Sequence, residues 1–430
     1  MQLKQSINVS ALLAAASCAL LGTSVQAEDN AEEWKFDTAI LYYGETDRVQ
    51  LVEGVFNANK DFGNEHYFNG KLVIDTLTGA SASGAVAQSG VQTFTRPSGN
   101  DSYTVEGGET PLDDTFRDTR VQASGQWTQP LGENYRVSGG LQVSKEYDYL
   151  SIVGNGSLDM DLNQRNTTLS AGMSYAFDSI DPVGGRPVDF ASMVVDNGQF
   201  DSAEAYQQAF DATRIQGSEE KDTIDLLFGV TQVINRRMLM QFNYSLSMSD
   251  GYHNDPYKVL SIVDQQGVTQ DIVHESRPTE RTKHSVYWQT KYALDQGVLD
   301  FSYRFATDDW EIDSHTIDTR FRYNLSETSY IQPHIRYYQQ NEAEFYNPFL
   351  SQATPLPEHA SADYRLGKMT AITLGLKYGM QLENGNELAF RLEYYQQTPE
   401  NAGFEQPGSL ADEDLYPALK AVIAQVSYSF

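Results

Sequence analysis

Between Met238 and Met248 every second residue is apolar or aromatic: Met238, Met240, Phe242, Tyr244, Leu246 and Met248 alternate with Gln241, Asn243, Ser245 and Ser247. In an extended chain successive side chains point to opposite faces, so this spacing predicts a strand with one apolar and one polar row. The pattern recurs in Leu299, Phe301, Tyr303 and Phe305 against Asp300, Ser302 and Arg304, and in Ile372, Leu374, Leu376 and Tyr378 against Thr373, Gly375 and Lys377. Thr167 to Tyr175 and Leu388 to Tyr395 repeat it again. Each run spans about ten residues, the length with which a tilted strand crosses the hydrocarbon of a bilayer.

The connections alternate in length, as the two rims of a barrel require. Short turns are predicted at Phe62-Gly63-Asn64, Leu131-Gly132-Glu133, Asn163-Gln164-Arg165, Asn235-Arg236, Asp295-Gln296-Gly297, Ser326-Glu327 and Glu383-Asn384-Gly385. Long connections are predicted at Ala80–Asp118, Asp178–Lys221, Gly251–Arg281, Asn341–Ser361 and Pro399–Tyr416, with a short helix within Asp201–Ile215. The fold class expected is all-β, a transmembrane antiparallel β-barrel of about 16 strands with short periplasmic turns and long extracellular loops. Closure requires the last strand to pair with the first, near Trp34–Tyr43. In that last strand Val422, Val426, Tyr428 and Phe430 alternate with polar or small residues and form the expected membrane-insertion signal, read by the outer-membrane assembly machinery.

The first residues set the compartment. Lys4, the apolar stretch Val9–Gly22 and the small-residue site Val25-Gln26-Ala27 predict a secretory signal peptide over 1–27, leaving 28–430 as the barrel domain. Cys18 is the only cysteine and lies in the signal, and Ala15-Ala16-Ser17 before it argues against a lipoprotein site. The mature chain therefore has no thiol chemistry. A formal charge of −29 excludes nucleic acid as a partner, because phosphate repels such a surface. The 26 tyrosines suit interfacial girdles, which leaves the lipid bilayer of a Gram-negative outer membrane as the expected surroundings.

Candidate chemistry is sparse. On the inward row expected of the last third of the barrel, Arg304, Asp318, Arg320, Arg322, His334 and Arg336 would line the lumen, either as a polar channel wall or as a structural charge ladder. No catalytic residues are expected: Ser314 and His315 are adjacent on one strand, point to opposite faces and cannot pair as nucleophile and base, so an outer-membrane hydrolase ranks third. No metal site and no cofactor are expected, since the seven histidines are scattered; a loop-bound Ca²⁺ at Asp113-Asp114 with Asp118, or at Asn254-Asp255, is the one alternative.

Several segments resemble one bacterial family of unknown function, DUF3570: DTLTGASASGA (75–85), the stretch Pro111–Arg120 that ends in TFRDTR, KEYDYLS (145–151), NQRNTT (163–168), GYHNDPYK (251–258), ESRPTERTKHS (275–285), DDWEIDSHT (308–316), QPHIRYYQQ (332–340) and ASADYRLG (360–367). Ser83 departs from the family's Pro- and Asn-rich turn. The resemblance implies an outer-membrane location and an association with an envelope redox system, and transfers no catalytic residue. The leading expectation is a channel or transport component. Its rival is a surface scaffold whose loops, at Pro111–Asp118 and Gly251–Lys258, bind an envelope or extracellular protein partner.

Overall fold

A computed structural model describes residues 34–430, the side chains of 114–116 excepted. The expected signal peptide, 1–27, lies outside the described residues. Sixteen antiparallel strands close into a barrel: β1 (Trp34–Glu45), β2 (Val49–Asp61), β3 (Tyr67–Ala82), β4 (Leu112–Pro130), β5 (Tyr135–Lys145), β6 (Tyr149–Leu162), β7 (Thr167–Ile180), β8 (Glu219–Asn235), β9 (Met238–Gly251), β10 (Glu280–Leu294), β11 (Gly297–Asp308), β12 (Asp313–Asn324), β13 (Ser329–Gln340), β14 (Met369–Gln381), β15 (Glu387–Pro399) and β16 (Leu419–Ser429). Each pairs with its neighbour in sequence, and β16 pairs with β1 in the register Ile40↔Val426 and Tyr42↔Ala424. Just beyond β16, Phe430 and Phe36 exchange two backbone hydrogen bonds of 2.7 and 2.8 Å, so the seam stays paired to that end.

The two-residue period separates the faces as the pattern predicts. On β9, Phe242 is 50% exposed on the outer face, whereas Gln241 is 0% exposed on the inner one. The outer belt continues around the ring in such residues as Ile40, Ile74, Phe228, Leu374 and Leu392, all exposed. The seven short turns lie on one rim at the predicted positions. The opposite rim carries three short connections, 46–48, 146–148 and 309–312, and five long loops, 83–111, 181–218, 252–279, 341–368 and 400–418.

The first long loop is shorter than the alternation suggests, because β3 and β4 keep pairing through a register shift between Gly79 and Ser81 to reach Ala82↔Leu112. Gly79 has φ +137°, and a Cβ there would stand 2.4 Å from the Arg48 carbonyl oxygen, so the irregularity needs glycine. The predicted helix is present as α1 (Ala203–Asp211), where Ser202 caps the N-terminus by accepting from the Ala205 amide at 3.2 Å.

The five long loops form one folded cap. Val259–Val263 pairs with Thr269–His274 and, in parallel, with Leu350–Ser351, which joins two loops in one sheet. Leu260, Val273, Leu350 and Ala360 form its buried core with Phe190 of the 181–218 loop. Val86, Val263 and Leu410 bring in the loops 83–111 and 400–418. The cap also enters the barrel mouth, where Tyr364 packs against Tyr43, Leu419 and Ala421.

Candidate functional site

The polar rows lie on the inner face, and their charges are unevenly distributed. On β3–β7 carboxylates dominate: Asp75 binds Arg120 at 2.6 Å, Asp161 binds Arg136 at 2.6 Å, Asp178 meets Lys221 of β8 at 3.1 Å, and Asp159 accepts from Ser170 at 2.6 Å. In a ring of sixteen, these strands stand across from β11–β15, where Arg304, Arg320, Arg322, Arg336, Lys377 and Arg391 share one polar row with the fewer acids Asp300, Asp318, Glu387 and Glu393. An excess of carboxylates on one wall and of cations on the other sets up a transverse field.

The residues singled out on sequence meet neighbours of the same row. His334 is the hub, with Nε2 2.9 Å from Asp318 Oδ2 and Nδ1 2.9 Å from Glu393 Oε1. Arg320 approaches Asp318 at 3.5 Å. Arg304 lies 5.5 Å above the Tyr287 ring and Arg322 3.7 Å above the Tyr330 ring, both cation–π contacts. Arg336 sits opposite Asp318 and Thr373 in the register and forms no ion pair among the described residues.

The His334–Glu393 contact crosses a whole strand, since His334 pairs with Gly375 and Gly375 pairs with Glu393. A Cβ at Gly375 would lie 2.7 Å from Glu393 Cγ, so the missing side chain lets the two meet. The same device operates one step nearer the short-turn rim: Tyr330 lies over Gly379, where a Cβ would stand 2.3 Å from its ring, and donates to Glu387 at 2.7 Å. Glu393, Lys377, Tyr330 and Arg391 complete a site whose sequence-predicted members were confined to β11–β13. The available signal was their matching parity on the following strands; which glycine a long side chain crosses has no signature in the chain.

Other candidates do not assemble. His315 turns outward to the Tyr303 hydroxyl at 2.8 Å, and Asp308 is engaged by Arg281 at 2.5 Å. Asp113 pairs with Arg96 at 3.0 Å and Asp255 with Arg365 at 2.8 Å; among the described residues no three His, Asp or Glu side chains converge on a point suited to a metal. In the two segments expected to bind a partner, Pro111, Asp118, Asp255 and Lys258 are buried and Arg117 is exposed. In the expected insertion strand, Val422, Val426 and Phe430 are exposed on the outer face, and the Tyr428 hydroxyl accepts from Asn386 at 2.6 Å.

Beneath the cap surface lies a buried ion network. Arg277 reaches Glu275 at 2.6 Å and Asp363 at 2.8 Å, Arg365 reaches Asp255 and Asp363, and Ser361 donates to Glu275 at 2.5 Å. Burial alone would raise the Asp363 carboxyl, but Arg365 and Arg277 overcome it and hold it well below the usual range. Burial lowers Lys258 to about 8 against the pull of Asp363 and Asp255, and raises Glu275 against that of Arg277. His274 is 3% exposed; burial, with the charge of Arg214, drops it to about 3, and burial drops His253 to about 4.

The family model matches residues 10–430. The chain belongs to DUF3570, a family of proteins of unknown function. No curated protein matches this DUF3570 member in sequence. Among solved structures it is similar to the siderophore receptor PirA from Acinetobacter baumannii (9% identity, TM-score 0.41, 91% of this chain and 58% of the receptor). It is also similar to a bacterial polysaccharide outer membrane secretin (9%, 0.42, 94% and 100%) and to the CymD monoaromatic hydrocarbon channel (10%, 0.40, 93% and 88%). The DUF3570 chain thus spans under two thirds of the length of the receptor it matches.

The His334 bridge and the buried cap histidines each generate a prediction. Gly375→Ala should push Glu393 off His334 and cost about 3 kcal/mol, the scale of a broken buried pair. Adding His334→Leu should cost less than the sum of the two single changes, because both remove the Glu393 contact, although His334→Leu alone also removes the Asp318 bond. Urea unfolding of the detergent-folded barrel checks this, and full additivity would refute the shared contact. Between pH 6.5 and the depressed values of His253 and His274, exposed copies bind a proton that the folded cap refuses, so cap stability falls as pH drops through that window. Asp363 adds to the loss below its ordinary 3.8, while Glu275 opposes it. Hydrogen exchange, corrected for intrinsic rates, should show residues 252–279 losing protection between pH 7 and about 4. His274→Phe should flatten the response, and equal protection at both pH values would exclude it.

Proposed function

We propose that this DUF3570 protein is an outer-membrane channel for small hydrophilic solutes, gated by its loop cap. The observation that supports the reading most directly is the two-faced wall. A continuous exposed apolar belt on all sides far exceeds the roughly 300–600 Å² patch a soluble monomer shows, and lipid is the medium that would cover it. Inside, the same strands present a charged and hydrogen-bonding surface that only water or a polar solute would fill. A ring of sixteen strands is of the size that leaves an aqueous lumen. The cap supplies the gate: it is cross-linked by its own sheet and ion network, and at its seam with the β1–β2 turn it leaves a cavity of ≈ 70 Å³ lined by Arg48, Lys258, Tyr346, Tyr364 and Tyr416.

Planar-bilayer recording of the heat-modifiable full chain tests the channel. Discrete conductance steps are expected, and replacing residues 253–278 by a short Gly-Ser turn should raise the step size severalfold. Silent membranes from well-folded protein of both forms would overturn the reading.

Insertion gives an independent test of the membrane assignment. Phe430 lies between Phe36, tilted against it at 5.4 Å, and Tyr428, stacked on it at 5.3 Å, on the outer face where an interfacial aromatic belt would lie. Phe430→Asp should abolish insertion and lead to degradation in the periplasm, whereas Ser429→Asp should be tolerated much better. Equal amounts of both variants and wild type in outer-membrane fractions would remove the insertion-signal role of Val422, Val426, Tyr428 and Phe430.

A further inference from the structure

Three cations of β12, β14 and β15 near the short-turn mouth are under-neutralised, and the reason is visible in how their carboxylates are used. Lys377 lies 3.7 Å from Glu387, and Arg391 3.8 Å from Glu393, both at the long end of ion pairing. Glu387 has a better partner in the Tyr330 hydroxyl at 2.7 Å, and Glu393 in His334 at 2.9 Å. Arg322 has no carboxylate partner among the described residues and is held over Tyr330 at 3.7 Å, while Lys377 stands 5.6 Å from the same ring. The Arg391 Nε is buried with no hydrogen-bond partner, a costly state for a guanidinium unless something occupies the space beside it.

That space exists. A cavity of ≈ 230 Å³ is lined by Lys377, Phe390, Arg391, Gln425 and Ser427. Arg391 faces Lys377 on one side and Gln425 on the other in the strand register, so two cations and two neutral polar side chains converge there. Lys377 and Arg391 lie only a few residues from the turn 382–386, and Arg322 two residues from the end of β12, which places the cluster just inside the short-turn mouth.

We propose that this cluster is an oxyanion-binding site for a small solute bearing a phosphate or carboxylate group. Arg391 supplies a planar fork that matches two oxygens, Lys377 and Arg322 add positive charge, and Gln425 and Ser427 supply neutral hydrogen bonds. Tyr330 fixes the two flanking cations. The proposal rests on the channel reading for its physiological role, but binding itself requires only the folded barrel.

The test is calorimetric titration of the detergent-folded full chain at low ionic strength with inorganic phosphate and, separately, with succinate, so that the two oxygen chemistries are told apart. Saturable binding of at least one is expected. Lys377→Gln and Arg391→Gln should each weaken it about tenfold, and Arg391→Lys should weaken it less than Arg391→Gln. Arg236→Gln, a charge change in the β8–β9 turn on the same rim, should leave it unchanged. Absence of saturable binding for both anions, or an equal loss in Arg236→Gln, overturns the site. Folding of each variant is followed by heat modifiability, and Arg322→Gln replaces either variant that does not fold. Bilayer recordings on the same samples separate the two ideas: conductance without binding refutes the site alone, and binding without conductance refutes the channel alone.

Discussion

Pairing of β16 with β1 is the constraint on which the other features depend. An open sheet of sixteen strands would expose two edges of unpaired N–H and C=O groups, and would let the strands twist apart rather than enclose a space. Once the seam from Asp37↔Ser429 to Glu45↔Ala421 is made, each pleat has a defined inside and outside. Every odd–even choice along the chain is then fixed together, because slipping any strand by one residue would turn its charged row into the apolar belt.

Closure also explains why charge matters more inside than a count of residues suggests. Arg322 and Arg336 form no ion pair among the described residues and Arg320 meets Asp318 only at 3.5 Å, so neutralisation is incomplete on the wall of β12 and β13. Where local pairs do form, glycine permits them. At Gly375 and Gly379 the backbone of β14 is bare, and His334 and Tyr330 cross it to reach acids on β15. These crossings commit Glu393 and Glu387, and so leave Arg391 and Lys377 with residual charge.

The cap follows a different logic. Its loops cannot use the barrel's alternation and are too long to remain as simple hairpins, so they build a small domain with an apolar core and a buried set of paired charges. A buried pair is a weak source of stability but a strong source of specificity when its geometry is complete. Arg277 between Glu275 and Asp363, and Arg365 between Asp363 and Asp255, tie the loop 252–279 to the loop 341–368 in one arrangement.

The strand alternation, the seven short turns, the pairing of the last strand with the first and the short helix around Tyr206 were all legible in the sequence, because period, turn chemistry and capping are local properties of neighbouring residues. Arg304, Asp318, Arg320, Arg322, His334 and Arg336 share one parity in the strand register, which is likewise a local property. What only the tertiary structure decided was which charges meet. The Asp318–His334–Glu393 bridge joins residues of three strands across a bare glycine, the Arg391 cavity joins β14, β15 and β16, and the cap joins five loops far apart in the chain. Those contacts depend on the register and closure of the whole ring, and a pattern that repeats every two residues identifies a face without identifying the residue that lies across it.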